Sequence, residues 1–547
     1  MLRPLHITSA LVLALASCAP GHDAPRDERP SPAETTTAAA NEASTAPLPS
    51  ASASAATNPV AAGSANSATP APPQREALPD LELARRPDPL PGDRIYAKGR
   101  WVWIQPAPGG SGWIGYITLG ESLRLYEGSR EKAKTIGPGC DAWYRVEPMG
   151  YVCDGPEATL DPDDPVLAVL ATHRGDADSP YPFHYGESIG TPRYDELPDA
   201  AKQRRSEWDL EVHRERLAAF FGPEKTTHKK AIDDLYRGID LSPAGVVFPE
   251  LPRLNAYVRE ARAFVQIGST VAWSKDYDDP AGRTWLYTSD HALVPKDRVK
   301  VYPPISFHGV KLGGPVELPL AFFRKKDRPR WRITDGKAEQ ASPDFARLSW
   351  VGLTGKKQTV AGVVYLETRE AGIWVRESDA AVAEQRGEPP FQKDEVIAGR
   401  KTWVDISILG GTLVAYEDKT PVFATLISPG RGGLPVPGRN LVSTASTPVG
   451  TFRVDGKFRW ASMVSSTDAN LVHSEVPYVL NFHGPHALHG AYWHDQWGEL
   501  KSGGCVNLSP VDSKWIFDWS EPALPPEWHG MRSVPDLGPA TRVIVRP

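Results

Sequence analysis

The chain has 547 residues and a formal net charge of −6, with 40% hydrophobic and 23% charged residues. That length implies several domains. So mild a charge argues neither for nucleic-acid binding nor for a strongly basic, membrane-hugging surface.

Residues 1–18 read as a signal peptide. Met1-Leu2-Arg3 supplies positive charge, and Ile7 to Leu15 is apolar but too short to span a bilayer as a mature helix. Leu15-Ala16-Ser17-Cys18 follows. It resembles a bacterial lipobox, in which Cys18 becomes the lipidated first residue; an ordinary secretory signal with an incidental cysteine is the plainer alternative. Residues 19–92 are Ala-, Ser-, Thr- and Pro-rich with few large apolar side chains. Such a stretch buries too little surface to offset its ordering entropy and is expected to be a disordered tether.

Residues 93–177 predict a small β domain. Arg94–Ala97, Trp101–Ile104, Trp113–Ile117, Leu123–Tyr126 and Trp143–Val146 are short β-rich runs between Gly/Pro turns. The pattern resembles the bacterial Src-homology-3-like barrels that accompany cell-wall enzymes. Residues 178–260 predict a helical connector. Asp199 caps a helix running to Phe221, with Trp208, Val212 and Leu217 on its apolar face, and Lys225 to Arg237 forms a second helix. Residues 261–392 return to strands, among them Phe264–Ile267, Thr270–Trp273, Val299–Tyr302, Val363–Thr368 and Ile373–Arg376. The expected fold class is a mainly β, multidomain chain.

Residues 397–547 form the last predicted domain. Trp403–Ile408 alternates as a half-buried strand, and Leu413–Tyr416 with Val422–Ile427 flank a hairpin turn. Ser509-Pro510-Val511-Asp512 reads as a helix start: cap, first-turn proline, then acid. Val511, Trp515, Ile516 and Trp519 give that helix an apolar face, and Thr541–Val545 is a last strand.

The chemistry concentrates here. His489-Gly490-Ala491-Tyr492-Trp493-His494 precedes Ser502-Gly503-Gly504-Cys505-Val506-Asn507. A thiol becomes a strong nucleophile when a neighbouring base takes its proton, and histidine is the usual base near neutrality. Glycines beside it leave backbone N–H groups uncovered for an oxyanion. Cysteine arithmetic points the same way. Cys18 takes lipid, Cys140 and Cys153 lie close in one β-rich segment and suit a disulfide, and Cys505 is left as the reactive candidate.

These residues resemble the catalytic motif of the L,D-transpeptidases, the YkuD-like domain. His489-Gly490, Ser502, Gly504, Cys505, Val506 and Asn507 match it, as does the Thr447-Pro448-Val449-Gly450-Thr451-Phe452 element. Gly503 departs from it, standing where the family usually has a second histidine. The resemblance implies Cys505 as nucleophile, His489 as general base and proton donor, and the Gly490 carbonyl as its orienting group. It places the oxyanion near Gly504, and substrate along Tyr492, Trp493, His494, Ser502 and Asn507. The implied reaction opens a peptidoglycan stem after its third residue, releases D-alanine, and passes the acyl group to an amine. With water as acceptor the same site is a carboxypeptidase or endopeptidase. The partners implied are peptidoglycan stem peptides and, through Cys18, a membrane at the periplasm-facing cell envelope, with no nucleic acid and no cofactor. Two rival readings remain. His483, His486, His489, His494 and Cys505 are all zinc-competent, although their spacing matches no familiar site. Alternatively, Gly503 marks a wall-binding lipoprotein without activity.

Overall fold

A computed structural model of the chain describes residue 81 and residues 83–222, 230–251, 254, 263–391, 397, 399–465, 468, 471–532 and 537–547. The signal segment, Cys18, the tether up to residue 80 and Lys225 lie outside the described residues.

The strand Thr402–Ser407 is the centre of the C-terminal region, and all six of its residues are buried, not half of them. It pairs antiparallel with Thr412–Glu417 and parallel with Arg542–Arg546. Both of its faces are covered. Val404 and Ile406 pack with Tyr478, Leu480, Leu488 and Val506 of a second sheet and with Ile516 and Phe517 of the Pro510–Trp519 helix. Trp403, on the other face, joins Phe307, Leu320, Phe322 and Ala381 from the preceding segment. Central strands sandwiched this way lose their alternation, because no face is left for solvent.

Six strands form the first sheet, in the order Val310–Lys311, Thr420–Leu426, Thr412–Glu417, Thr402–Ser407, Arg542–Arg546, Gly450–Arg453. The second sheet carries seven: Val102–Ile104, Gly115–Ile117, Gly530–Arg532, Gly456–Ser465, Leu471–His483, His486–Gly490, Val506–Leu508. Its first two strands come from the other end of the described chain. Gly115 pairs with Met531 and Tyr116 with Gly530. Only glycine fits at 115, since a Cβ there would stand 2.2 Å from the Trp528 ring. The remaining strands of 93–177 make two three-stranded sheets around a core of Ile95, Ile104, Leu123, Tyr144 and Val152. Trp528 and Met531 insert into that core. Cys140 and Cys153 are joined as a disulfide, Cα atoms 5.9 Å apart, between neighbouring strands.

The helix expected from Asp199 to Phe221 is two helices. Asp199 does cap the first, Ala200–Ser206, accepting from the Lys202 N–H. The chain then breaks at Glu207 and restarts at Leu210–Phe221. The buried face is Leu210, His213 and Leu217, whereas Trp208 is 91% exposed and Val212 is exposed. The break lets Glu207 turn inward onto Arg283 and Arg298. Lys230–Tyr236 is helical. The strand His184–Ser188 sits between Thr270–Asp278 and Val299–Val301, so residues 178–260 and 261–392 share one five-stranded sheet. Residues 320–383 form a further seven-stranded sheet. Among the described residues, no helix is long and apolar enough to cross a membrane.

Candidate active site

Two short parallel strands hold the site. Leu488 pairs with Val506, His489 with Asn507 and Gly490 with Leu508. One step back, the same register sets Ala487 beside Cys505, and both side chains enter one cluster with Tyr116, Phe458 and Met463. His489 follows Ala487 by two residues, so it projects on the same face as Cys505. The opposite face carries Leu488, Val506 and Leu508 into the main core. Sequence spacing of sixteen positions thus becomes adjacency across one strand pair.

His489 is 3% exposed. Its Nδ1 lies 3.2 Å from the carbonyl of Gly490. A carbonyl only accepts, so Nδ1 carries the proton and Nε2 is left as the base. Burial pushes the imidazolium down to about 4, against the pull of the Gly490 carbonyl, and His473 adds to the depression. The ring is therefore neutral at physiological pH and ready to accept a proton.

Cys505 is 6% exposed, and its Sγ lies 3.9 Å from the Pro485 carbonyl. The loop before it is pinned from several sides. Ser502 Oγ donates to the Cys505 carbonyl at 2.5 Å and accepts from the Gly504 N–H at 3.1 Å. The Gly504 N–H, expected at the oxyanion, is thus engaged inside the loop. Thr447 Oγ donates to the same Cys505 carbonyl at 3.4 Å and accepts from the Gly430 N–H at 2.8 Å. Thr447 belongs to the Thr-Pro-x-Gly-x-Phe element that resembles the family motif. Gly504 has φ +129°, where a Cβ would stand 3.1 Å from His486 Nε2 and 3.2 Å from the Ser446 carbonyl.

The remaining candidates divide. Trp493 stacks on His473 at 4.1 Å and lies 5.9 Å from the His489 ring. The Asn507 amide lies 3.0 Å from His494 Nε2, so these two residues hold each other. Burial pushes His494 down to about 3 and His473 to about 4. Tyr492 is buried away from the thiol. It stacks on Tyr185 at 3.8 Å, donates to the Ser474 carbonyl at 2.6 Å and touches Thr270 Oγ at 2.6 Å. Its hydroxyl is committed to protein partners, which makes it a support for Trp493.

His473 had no signal in the sequence, because it sits on the long Leu471–His483 strand far from the motif. His483 is exposed and packs on Phe452 at 4.8 Å. His486 is 2% exposed and turns beneath Gly504, although strict alternation along a strand would set it on the face opposite His489, three positions on. The pairing slips between Asn481 and His483 and turns at Gly484, φ +53°, which resets the register. Among the described residues no group of three or more His, Cys, Asp or Glu side chains is arranged to hold a metal ion.

Residues 401–545 match the family model of YkuD, the L,D-transpeptidase catalytic domain. The C-terminal part of this chain is therefore an L,D-transpeptidase catalytic domain. Among solved structures the chain is similar to an L,D-transpeptidase from Stackebrandtia nassauensis, at 22% identity over 29% of this chain and 61% of that one, TM-score 0.18. It is also similar to an L,D-transpeptidase from Xylanimonas cellulosilytica, at 23% identity over 29% and 64%, TM-score 0.18. A third is the catalytic domain of the Enterococcus faecium L,D-transpeptidase, at 22% identity over 26% of this chain and 96% of that one, TM-score 0.19. The chain thus spans under two thirds of the first two proteins. No curated protein sequence matches it.

Proposed function

We propose that the protein is an L,D-transpeptidase of peptidoglycan, with Cys505 as nucleophile and His489 as general base. The observation that carries this reading is the shared face of Cys505 and His489 on paired strands, with Nδ1 turned to the Gly490 carbonyl. In the reaction, His489 Nε2 takes the Cys505 proton as Sγ attacks the carbonyl of the third stem residue. The developing oxyanion is met by backbone N–H groups around Gly504 and Cys505, with the Gly504 N–H exchanging Ser502 Oγ for it. Collapse breaks the bond to the fourth residue. D-alanine leaves with the proton from His489, and a thioester remains. An amine on a second stem then attacks, gives its proton to His489 and restores the thiol. Trp493 and Asn507 wall the site on the histidine side. Water in place of the amine gives hydrolysis at the same site.

The dry surroundings of His489 keep its imidazole neutral at rest, because burial penalises the charged ring. Anchoring through a lipidated Cys18 at the periplasm-facing cell envelope belongs to the same reading. The test is mass spectrometry of the products formed from purified stem tetrapeptides. Cross-linked product with released D-alanine, lost in Cys505→Ala, is expected. Intact substrate with the folded, reduced wild-type protein overturns the reading.

A further inference from the structure

Behind Tyr492, away from the thiol, lies a cavity. It measures about 280 Å³ and is walled by Thr270, Ser474, Val472, Ser289 and two ion pairs. Neither Cys505 nor His489 lines it. One pair is Arg100 with Glu475, 3.1 Å apart, their side chains 16% and 8% exposed. The other is Arg193 with Asp290, 13% and 4% exposed. Charges so withdrawn from water are costly unless every remaining hydrogen-bonding position finds a partner. Lining a cavity, such charged edges can also face a ligand.

Glu475 is the centre of this arrangement. Its Oε1 takes both the Arg100 guanidinium and the Ser289 hydroxyl, at 3.1 Å each, and its carboxylate lines the cavity. Its backbone sits at φ +44°, in the left-handed region that a glutamate seldom adopts. Such strain persists only where the surroundings enforce it, and it collects at binding and catalytic positions. Here the enforcement is visible. Tyr185 donates its hydroxyl to the Glu475 carbonyl at 3.0 Å. The preceding residue closes a ring: the Ser474 N–H donates to Thr270 Oγ, Thr270 to the Tyr492 oxygen, and Tyr492 back to the Ser474 carbonyl, at 2.7, 2.6 and 2.6 Å.

We propose that this cavity is a binding site for the zwitterionic end of an amino acid or short peptide. Glu475 receives the ammonium, and the guanidinium groups of Arg100 and Arg193 receive the carboxylate. Val472, Val265 and Phe264 give the wall an apolar side suited to a small side chain. A purely anionic ligand is disfavoured by the two carboxylates, and a purely cationic one by the two arginines. The volume admits a free amino acid or a dipeptide-sized terminus.

Titration calorimetry of the full chain carrying Cys505→Ala tests this without turnover, and so independently of whether the thiol site is a transpeptidase. The probes are alanine, in either enantiomer, and a stem tetrapeptide. Saturable binding is expected for at least one of them, weakened at least ~10-fold by adding Glu475→Gln, the scale of losing a charge-assisted hydrogen bond. Alanine binding identifies free amino acids as the ligand, and binding of the tetrapeptide alone identifies a peptide terminus. If Glu475→Gln does not fold, Val472→Phe, which fills the cavity from its wall, takes its place with the same expected loss. Absence of binding by both probes, or binding undiminished in the folded cavity variant, overturns the proposal.

Discussion

Two buried polar clusters in this chain treat charge in opposite ways. Around Trp493, burial drives His489, His473 and His494 down to about 4, 4 and 3, so all three are neutral at physiological pH. Around Glu207, whose side chain is wholly buried, Arg283 and Arg298 bind the carboxylate at 2.8 and 2.7 Å. Burial alone would raise that carboxyl, but the two guanidinium groups outweigh it and hold it below the usual range. Asp297, paired with Arg283 and His213, is held low in the same way. Burial without a countercharge yields a neutral group able to change its protonation during a reaction. Burial with one yields a fixed ion pair that fastens helix to sheet.

The largest expected effect follows on the neutral side. Cys505→Ala removes acyl transfer, and His489→Ala lowers it by at least ~10²-fold, the usual scale of positioned acid–base catalysis. Both variants keep the fold, and product analysis on stem peptides checks them. On the paired side the loss falls on stability. Glu207→Ala takes the shared carboxylate from Arg283 and Arg298, which keep Asp297 and Asp209 as partners, and costs up to about 3 kcal/mol. Urea unfolding measures it, while Cys505 alkylation per folded molecule stays near wild type. An equal loss of thiol reactivity would erase the distinction between the clusters.

His486 sharpens the comparison, because it is buried and lowered by its surroundings yet supports the nucleophile loop. His486→Ala opens space beneath Gly504 and is expected to slow Cys505 acylation about tenfold, a change near 1.4 kcal/mol. His483→Ala, at an exposed ring, leaves the rate within about twofold on the same scale. A time course of Cys505 acylation by a stem tetrapeptide, followed by mass, distinguishes them.

Acid separates the clusters by pH. A histidine neutral in the fold but protonated when unfolded makes the unfolded state bind more protons. Stability therefore falls as pH drops from about 6.5 toward about 4, by about 1.4 kcal/mol per pH unit for each such group. Glu207 and Asp297 have depressed values, so their contribution is intact above the ordinary carboxyl range near 4 and is lost only below it. Unfolding free energy measured against pH is expected to fall in two stages. Replacing His473 by Phe flattens the first and leaves the second.

How much was legible follows the same physics. The Ser509-Pro510 helix start and the closing strand near residue 542 were readable because caps and alternation are local. The joining of Cys505 and His489 in one candidate site came from the motif they resemble, and the strands that carry them do pair. Burial on both faces at Thr402–Ser407 was not, since it depends on the 305–391 segment covering one side. Trp208 misled for a related reason: hydrophobicity placed it inside, but the break that sends Glu207 to its arginines turns it outward. His473 stayed hidden, as did the contacts that His486 and Thr447 make with the nucleophile loop, because register slips and crossing loops, not spacing, bring them together.

The sheet that carries His489 and Cys505's neighbour Val506 has a consequence for synthesis. Its first two strands, Val102–Ile104 and Gly115–Ile117, leave the ribosome long before Gly530–Arg532, and Glu121 meets His529 across 408 positions. Non-local closure of that kind slows folding and leaves early strands with open edges. The growing chain must hold those edges unpaired until its last residues arrive. Tyr116 and the tryptophans beside it are then the segment a holding chaperone would cover, and a fragment beginning at residue 401 would lack the border of its own sheet.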